Sequence, residues 1–221
     1  MNIRTFVDLF VKERYFCGLD IGARSVKACL GHVENKDSIQ LVAVSEAETR
    51  GFKDGAVNDI AEFSSSISST LNALIKKSQV RFRDVFLGVG GDLVETRISR
   101  AVIPLVERGN KVITPADVRE ARHQARLLGA RLEEEVIHDF VRTFKVDDVN
   151  IALNPVGLYG RKLEVEVMIV VVNATKLRNI MKAVRQAGFE VDKVFFTGQV
   201  LADALLDRRH ISDGAMLVDL G

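Results

Sequence analysis

The sequence predicts an α/β layered fold, and three patterns carry that expectation. An apolar run near the start ends in Asp20-Ile21-Gly22 and is followed by two alternating apolar stretches, the signature of an antiparallel meander. Further along, short apolar strands alternate with amphipathic helices, the order that builds a sheet covered by helices. The opening motif also has an echo, because Leu217-Val218-Asp219-Leu220-Gly221 repeats the apolar run, the Asp and the Gly.

Taken in order, 15–19 reads as a strand leading into Asp20-Ile21-Gly22. Residues 25–33 and 38–45 read as two more strands, joined by the polar turn Glu34-Asn35-Lys36-Asp37. A glycine-punctuated loop over 50–55 precedes a helix over 59–77. There Ile60, Phe63, Ile67, Leu71, Leu74 and Ile75 recur at helical spacing, and Asn58 or Asp59 supplies the cap. Residues 85–89 form a compact strand ending at Gly90-Gly91, and Gly88-Val89-Gly90-Gly91 reads as a plain turn, with no helix cap or Lys behind it.

A strand over 95–106 ends in the polar turn Arg108-Gly109-Asn110. Thr114-Pro115-Ala116-Asp117 then starts a helix: Thr caps, Pro occupies the first turn and Asp faces the positive end of the dipole. That helix runs to about Leu128 and stops at Gly129. Residues 135–147 alternate as a half-exposed strand, 154–160 is a loop and 162–172 is a strand. Its stretch from Val167 to Val172 is apolar on both faces, as in the middle of a covered sheet. A helix over 176–187 stops at Gly188, and strand 191–196, helix 200–206 and strand 215–220 follow. The block 84–163 interrupts this order with its own strand-helix-strand-strand unit, so the expected organisation is 1–83, an insert at 84–163, and 164–221.

Composition narrows the function classes. With 221 residues, 47% of them hydrophobic, the chain has material for a substantial core. A formal net charge of +1 and the lack of a long basic run give no case for nucleic-acid binding. No stretch approaches the roughly 20 apolar residues of a membrane span. Cys17 and Cys29 flank the first motif and read as free, partly buried thiols in a reducing compartment. His32, His123, His138 and His210 show no metal-ligand spacing and read as structural or surface residues. Ile3, Phe6, Val7 and Phe10 lie on one face of a short amphipathic helix over 3–11, which packs on its own domain or lies on a membrane surface.

The two Asp-x-Gly turns carry the chemistry. Gly22 lets backbone approach a phosphate closely, and consecutive N–H groups of such a turn make an anion nest. Lys27 on the following strand reaches back as a point charge. Asp20 and Asp219 would hold magnesium through water from opposite sides, because that ion keeps several waters and takes few direct carboxylates.

These residues resemble the FtsA family of bacterial cell-division proteins, within the actin, Hsp70 and sugar-kinase superfamily. The segment from Asp20 through Gly22, Ala23, Arg24, Ser25 and Val26 to Lys27 is similar to the family's first phosphate motif. Thr49-Arg50-Gly51-Phe52-Lys53-Asp54-Gly55-Ala56-Val57 is similar to its Arg-Gly segment, and the helix start at Thr114 to that of its insert. The most specific match is Asn154-Pro155-Val156-Gly157-Leu158-Tyr159-Gly160, and Leu217 to Gly221 is similar to the opening of the second phosphate motif.

The resemblance implies a ribonuclease-H-like (actin-like) subdomain 1A formed by 1–83 and 164–221, with an SHS2 (1C) insert at 84–163. It implies a chain truncated before the second half of the actin-like core. It also implies ATP and Mg at Asp20, Gly22, Ala23, Arg24, Ser25, Lys27, Asp219 and Gly221, with Gln199 near where the attacking water is oriented. Partners implied are FtsZ, through a surface mostly outside this chain, and further copies and later division proteins through the insert. The protein would be cytoplasmic and peripheral on the inner face of the membrane.

The chain departs from the pattern in two places: Ala23 lacks the hydroxyl common in the family, and the segment from Asp139 to Thr143 replaces a Pro-Gln-Glu. A weak ATPase at most is implied, with no turnover expected of this chain alone. Two other readings share the fold, a pilus-assembly actin-like protein and a sugar-kinase-type enzyme. The Arg-Gly and Asn-Pro-Val-Gly segments weigh against the first, and the lack of a sugar-recognition cluster with a catalytic base against the second.

Overall fold

The computed structural model describes residues 15–35, 38–105, 111–151 and 154–219. The amphipathic segment 3–11, the tip of the 34–37 turn, the 108–110 turn, Leu220 and Gly221 lie outside the described residues. The chain divides into two compact units, one formed by 1–93 with 175–221 and the other by 94–174.

The first unit is built on a five-stranded sheet. Strands β1 (Tyr15–Ile21), β2 (Ser25–Asn35) and β3 (Ser38–Glu48) form the expected antiparallel meander. Two short strands, β4 (Phe52–Lys53) and β5 (Ala56–Val57), pair within the glycine-punctuated loop. Helix α1 (Ile60–Ser78) follows, and Asp59 caps it by accepting from the N–H groups of Ala61 at 2.8 Å and Glu62 at 3.0 Å. Its apolar stripe of Phe63, Ile67, Leu71 and Leu74 is buried, and the helix packs against β2 and β3. Strand β6 (Asp84–Val89) then lies parallel to β1, and a turn of 3₁₀ helix over Gly91–Leu93 ends this half of the unit.

The second unit is a four-stranded antiparallel sheet with one helix on it. It contains β7 (Val94–Pro104), β8 (Lys111–Val112), α2 (Pro115–Gly129), β9 (Glu134–Val146), β10 (Val149–Ile151), β11 (Tyr159–Gly160) and β12 (Lys162–Asn173). The sheet order is β10-β9-β12-β7, with β8 and β11 paired separately. Helix α2 starts with the capping box expected from its sequence, in which Thr114 and Asp117 satisfy one another's backbone N–H groups. Its buried Ala121 and Ala125 sit over Val165, Val167, Ile169 and Val171, the inward face of β12.

The chain then returns to the first unit through α3 (Ala174–Gln186) and β13 (Glu190–Phe196), which pairs parallel to β6. Helices α4 (Thr197–Leu205) and α5 (Arg208–Asp213) follow. The order β13-β6-β1-β2-β3 is an antiparallel meander extended by two parallel strands on the β1 side. This is the ribonuclease-H-like arrangement with an inserted α/β unit that the resemblance implies.

Three expectations are corrected. The insert does not begin at 84, because β6 hydrogen-bonds to β1 and β13 in the first sheet; nor does it end at 163, because β12 fills the centre of the second sheet between β7 and β9. The expected strand at 215–220 is irregular and exposed over 214–219, where no described strand pairs with it. The segment 208–213, not singled out in the sequence, forms α5, capped by Asp207.

Candidate functional site

Ligands of open α/β sheets bind beyond the carboxyl ends of parallel strands, and the carboxyl ends of β1, β6 and β13 converge here. Pairing aligns Phe195, Gly88, Asp20, Lys27 and Glu46 in one row across all five strands, so these side-chain positions share a face. Asp20 is exposed at the mouth of β1, directly opposite Lys27. Loss of surrounding water pushes its carboxyl above the ordinary range; Lys27 opposes this and the charge of Asp219 adds to it. The structure thus brings Asp20, Lys27 and Asp219 within electrostatic reach of one another.

The turn after β1 is tied down more tightly than the sequence suggested. Gly22 N–H donates to Ser25 O at 3.0 Å, so it is not one of the free groups of a nest. A Cβ at Gly22 would stand 3.1 Å from that same oxygen, which is why the closest residue of the turn carries no side chain. Thr49, just past the end of β3, holds two more carbonyls of the turn: its hydroxyl donates to Gly22 O at 2.8 Å and its N–H to Arg24 O at 3.0 Å. Among the described residues the N–H groups of Ala23 and Arg24 have no partner, and both residues are exposed.

A second wall comes from the stretch read in the sequence as a plain turn. Gly88 sits beside Asp20, and a Cβ there would lie 3.7 Å from Asp20 Oδ1 and 3.0 Å from Thr197 Cγ2. At Gly90 a Cβ would overlap the Thr197 hydroxyl, which donates to Val89 O at 3.3 Å. Two threonines therefore each bind a carbonyl of a glycine turn at the same edge of the sheet. The sequence reasoning read Gly88 and Gly90 as a plain turn, named Thr49 only as the start of the Arg-Gly segment, and passed over Thr197. The signal that marks them is a pair of glycines closing a short apolar strand, and a hydroxyl residue one step beyond another.

Of the other expected site residues, Gln199 lies in the first turn of α4 and its Nε2 donates to Asp203 Oδ1 at 2.7 Å along its own helix. Gly221 lies outside the described residues. Cys17 and Cys29 are both free. Cys17 is buried opposite Leu30, whereas Cys29 sits opposite Gly18 with its Sγ 3.2 Å from where a Cβ of Gly18 would be, so the two thiols are on opposite faces of the hairpin. Burial raises both thiols, a further charge effect from Cys29 adding at Cys17.

Among the described residues no three His, Cys, Asp or Glu side chains converge as a metal-ligand group. Asp20 and Asp219, two carboxylates within electrostatic reach of one another, have the donor chemistry a magnesium ion satisfies through its own waters. No described helix is long and apolar enough to cross a membrane.

Comparison with known proteins gives a consistent picture. The domain family described as the SHS2 domain inserted in FTSA matches residues 91–171, close to the second unit. The cell division protein FtsA of Streptococcus pneumoniae serotype 2 is 29% identical over 210 residues, covering 95% of this chain and 46% of that protein. FtsA of Pseudomonas aeruginosa is 26% identical, covering 92% of this chain and 48% of the relative, and FtsA of Escherichia coli K12 gives the same figures. The chain spans about half the length of the curated relatives it matches. Among solved structures, the PilM-PilN type IV pilus biogenesis complex is similar in fold, with a TM-score of 0.56 at 18% identity over 85% of this chain and 48% of that chain.

Proposed function

We propose, for a chain that is FtsA-like over more than nine-tenths of its length and carries that family's SHS2 unit, a role as one wall of a nucleotide site in an actin-like cell-division adaptor. The observation that carries this reading is the SHS2-type unit inserted beyond β6 of the sheet whose first turn holds Asp20 and Gly22. ATP phosphates would rest against the turn from Gly22 to Ser25, on the N–H groups of Ala23 and Arg24. Lys27 would supply positive charge beside Asp20. Mg, when bound, would neutralise phosphate charge, with Asp20 and Asp219 holding its waters.

Among the described residues, Asp20, Lys27 and the turn from Gly22 to Ser25 supply charge and N–H donors at this edge. On this reading the wall binds and orients phosphates by charge and hydrogen bonding. Gln199, turned along its own helix to Asp203, would need another rotamer to orient a water. The whole protein, by this reading, links the FtsZ ring to the inner face of the cytoplasmic membrane, and the second unit meets further copies and later septum proteins.

Two measurements test the reading. A fluorescent fusion of the 221-residue chain in a rod-shaped bacterium should gather in a band at the division site through the second unit; signal that stays uniform throughout the division cycle refutes the contacts proposed for that unit. Calorimetric titration should show MgATP binding that Asp20→Ala removes, and binding indifferent to that change refutes the proposed wall.

A further inference from the structure

We propose that Thr49 is a positioning residue for phosphate binding, acting through the orientation of one peptide plane. The inference rests on the reading of the Gly22–Ser25 turn as a phosphate site. Across a planar trans peptide the C=O of one residue and the N–H of the next point in opposite directions. The Thr49 hydroxyl holds Gly22 O at 2.8 Å, so it fixes the Gly22–Ala23 plane and aims the Ala23 N–H away from Thr49. The Thr49 N–H holds Arg24 O at 3.0 Å and fixes the Arg24–Ser25 plane in the same way.

Hydrogen bonding inside the turn leaves nothing else to do this. Gly22 N–H is committed to Ser25 O at 3.0 Å, and Ala23 brings only a methyl group. Without the Thr49 hydroxyl, Gly22 O keeps no described side-chain partner, and the Gly22–Ala23 plane is free to tilt about the flexible glycine. The donor would then be aimed at an anion for only part of the time, and affinity falls by the fraction lost. The Thr49 backbone bond survives substitution by serine, valine or alanine, so the hydroxyl is the separable part.

The test is an NMR titration of the ¹⁵N-alanine-labelled chain, following Ala23, with magnesium tripolyphosphate and separately with MgATP. In the unsubstituted chain the Ala23 resonance should shift and saturate with both. Thr49→Ser keeps the hydroxyl and should titrate within about twofold of that. Thr49→Val and Thr49→Ala should raise the dissociation constant about tenfold, the loss of one fixed hydrogen bond, while the dispersion of the other alanine resonances is unchanged.

Equal affinity of Thr49→Val and the unsubstituted chain would overturn the role of Thr49 and leave the phosphate reading intact. Failure of Thr49→Ser to rescue would also overturn it. An Ala23 resonance indifferent to both probes in the unsubstituted chain would overturn the phosphate reading, and the role of Thr49 with it.

Discussion

Replacing Gly90 with alanine tests the packing that closes the second wall of the site. The added Cβ overlaps the Thr197 hydroxyl and lies 3.4 Å from Thr197 Cβ and 3.8 Å from Cγ2. Overpacking of this kind costs about 1–3 kcal/mol. The upper half of that range applies, because the obstructing atom belongs to the first residue of α4 and is bonded to Val89 O. Thr197→Ala by itself loses that hydrogen bond, about 1 kcal/mol. In the double variant the new methyl occupies space vacated by Thr197, so the total should return to about 1 kcal/mol, against the ~3–4 kcal/mol of simple addition. The coupling of about 2–3 kcal/mol lies within the range for residues in contact. The chain has two tyrosines and no tryptophan, and Tyr15 stands against His32 with ring centroids 4.7 Å apart. In a Tyr159→Phe background, tyrosine fluorescence during urea unfolding therefore reports on the first unit alone. Additive destabilisation, or a Gly90→Ala variant as stable as its parent, would refute the reasoning.

Three further outcomes are expected. Asp139, whose side chain is 8% exposed, accepts from Arg122 at 2.7 and 3.0 Å and from Arg126 at 3.1 Å; Asp139→Ala should destabilise the second unit by about 2–3 kcal/mol, read from Tyr159 fluorescence in a Tyr15→Phe background. For Glu134, burial works against ionisation, but the Arg131 N–H and the Arg97 guanidinium outweigh it and hold the carboxyl below the ordinary range. Its stabilising contribution is thus full above the ordinary carboxylate range and lost as pH falls through the lowered value, so Glu134→Gln should flatten the acid limb of a stability-versus-pH curve; an unchanged limb contradicts this. Asp20 has the opposite sign. Its carboxyl is raised, so its ionised form costs stability at neutral pH, and that cost disappears as pH falls through the raised value. Asp20→Asn should therefore melt no lower than the parent at pH 7 by calorimetry while losing magnesium-dependent phosphate binding; a lower melting point would show the charge to be structural.

Local structure was the legible part of this sequence. Thr114, Pro115 and Asp117 announced α2, and Asp59 and the apolar stripe of α1 placed that helix to within a residue, because capping and periodicity depend on neighbours a few positions away. Sheet membership was not legible. The run from Val167 to Val172 advertises a central strand, and β12 is one, but nothing in it says which sheet it centres; partners far along the chain decide that. The site divides in the same manner. Asp20, Gly22 and Lys27 sit on one hairpin and could be read together. Thr49 reaches the same place through the pairing of β2 with β3, and Gly88 and Thr197 through the pairing of β6 with both β1 and β13. The 215–220 reading failed because apolar alternation alone does not make a strand without a neighbour to receive its hydrogen bonds.

The chain enters the second unit along β7 and leaves it along β12, and these two strands run side by side with Val94 paired to Val172. Directly opposed residues of an antiparallel pair have Cα atoms only about 4.5–5.5 Å apart. An 81-residue segment, 94–174, is thus attached through a doorway one residue pair wide. Such a module is portable. It could be excised and the doorway closed with a two-residue turn, or transplanted into another scaffold across any hairpin, without changing the path of either host.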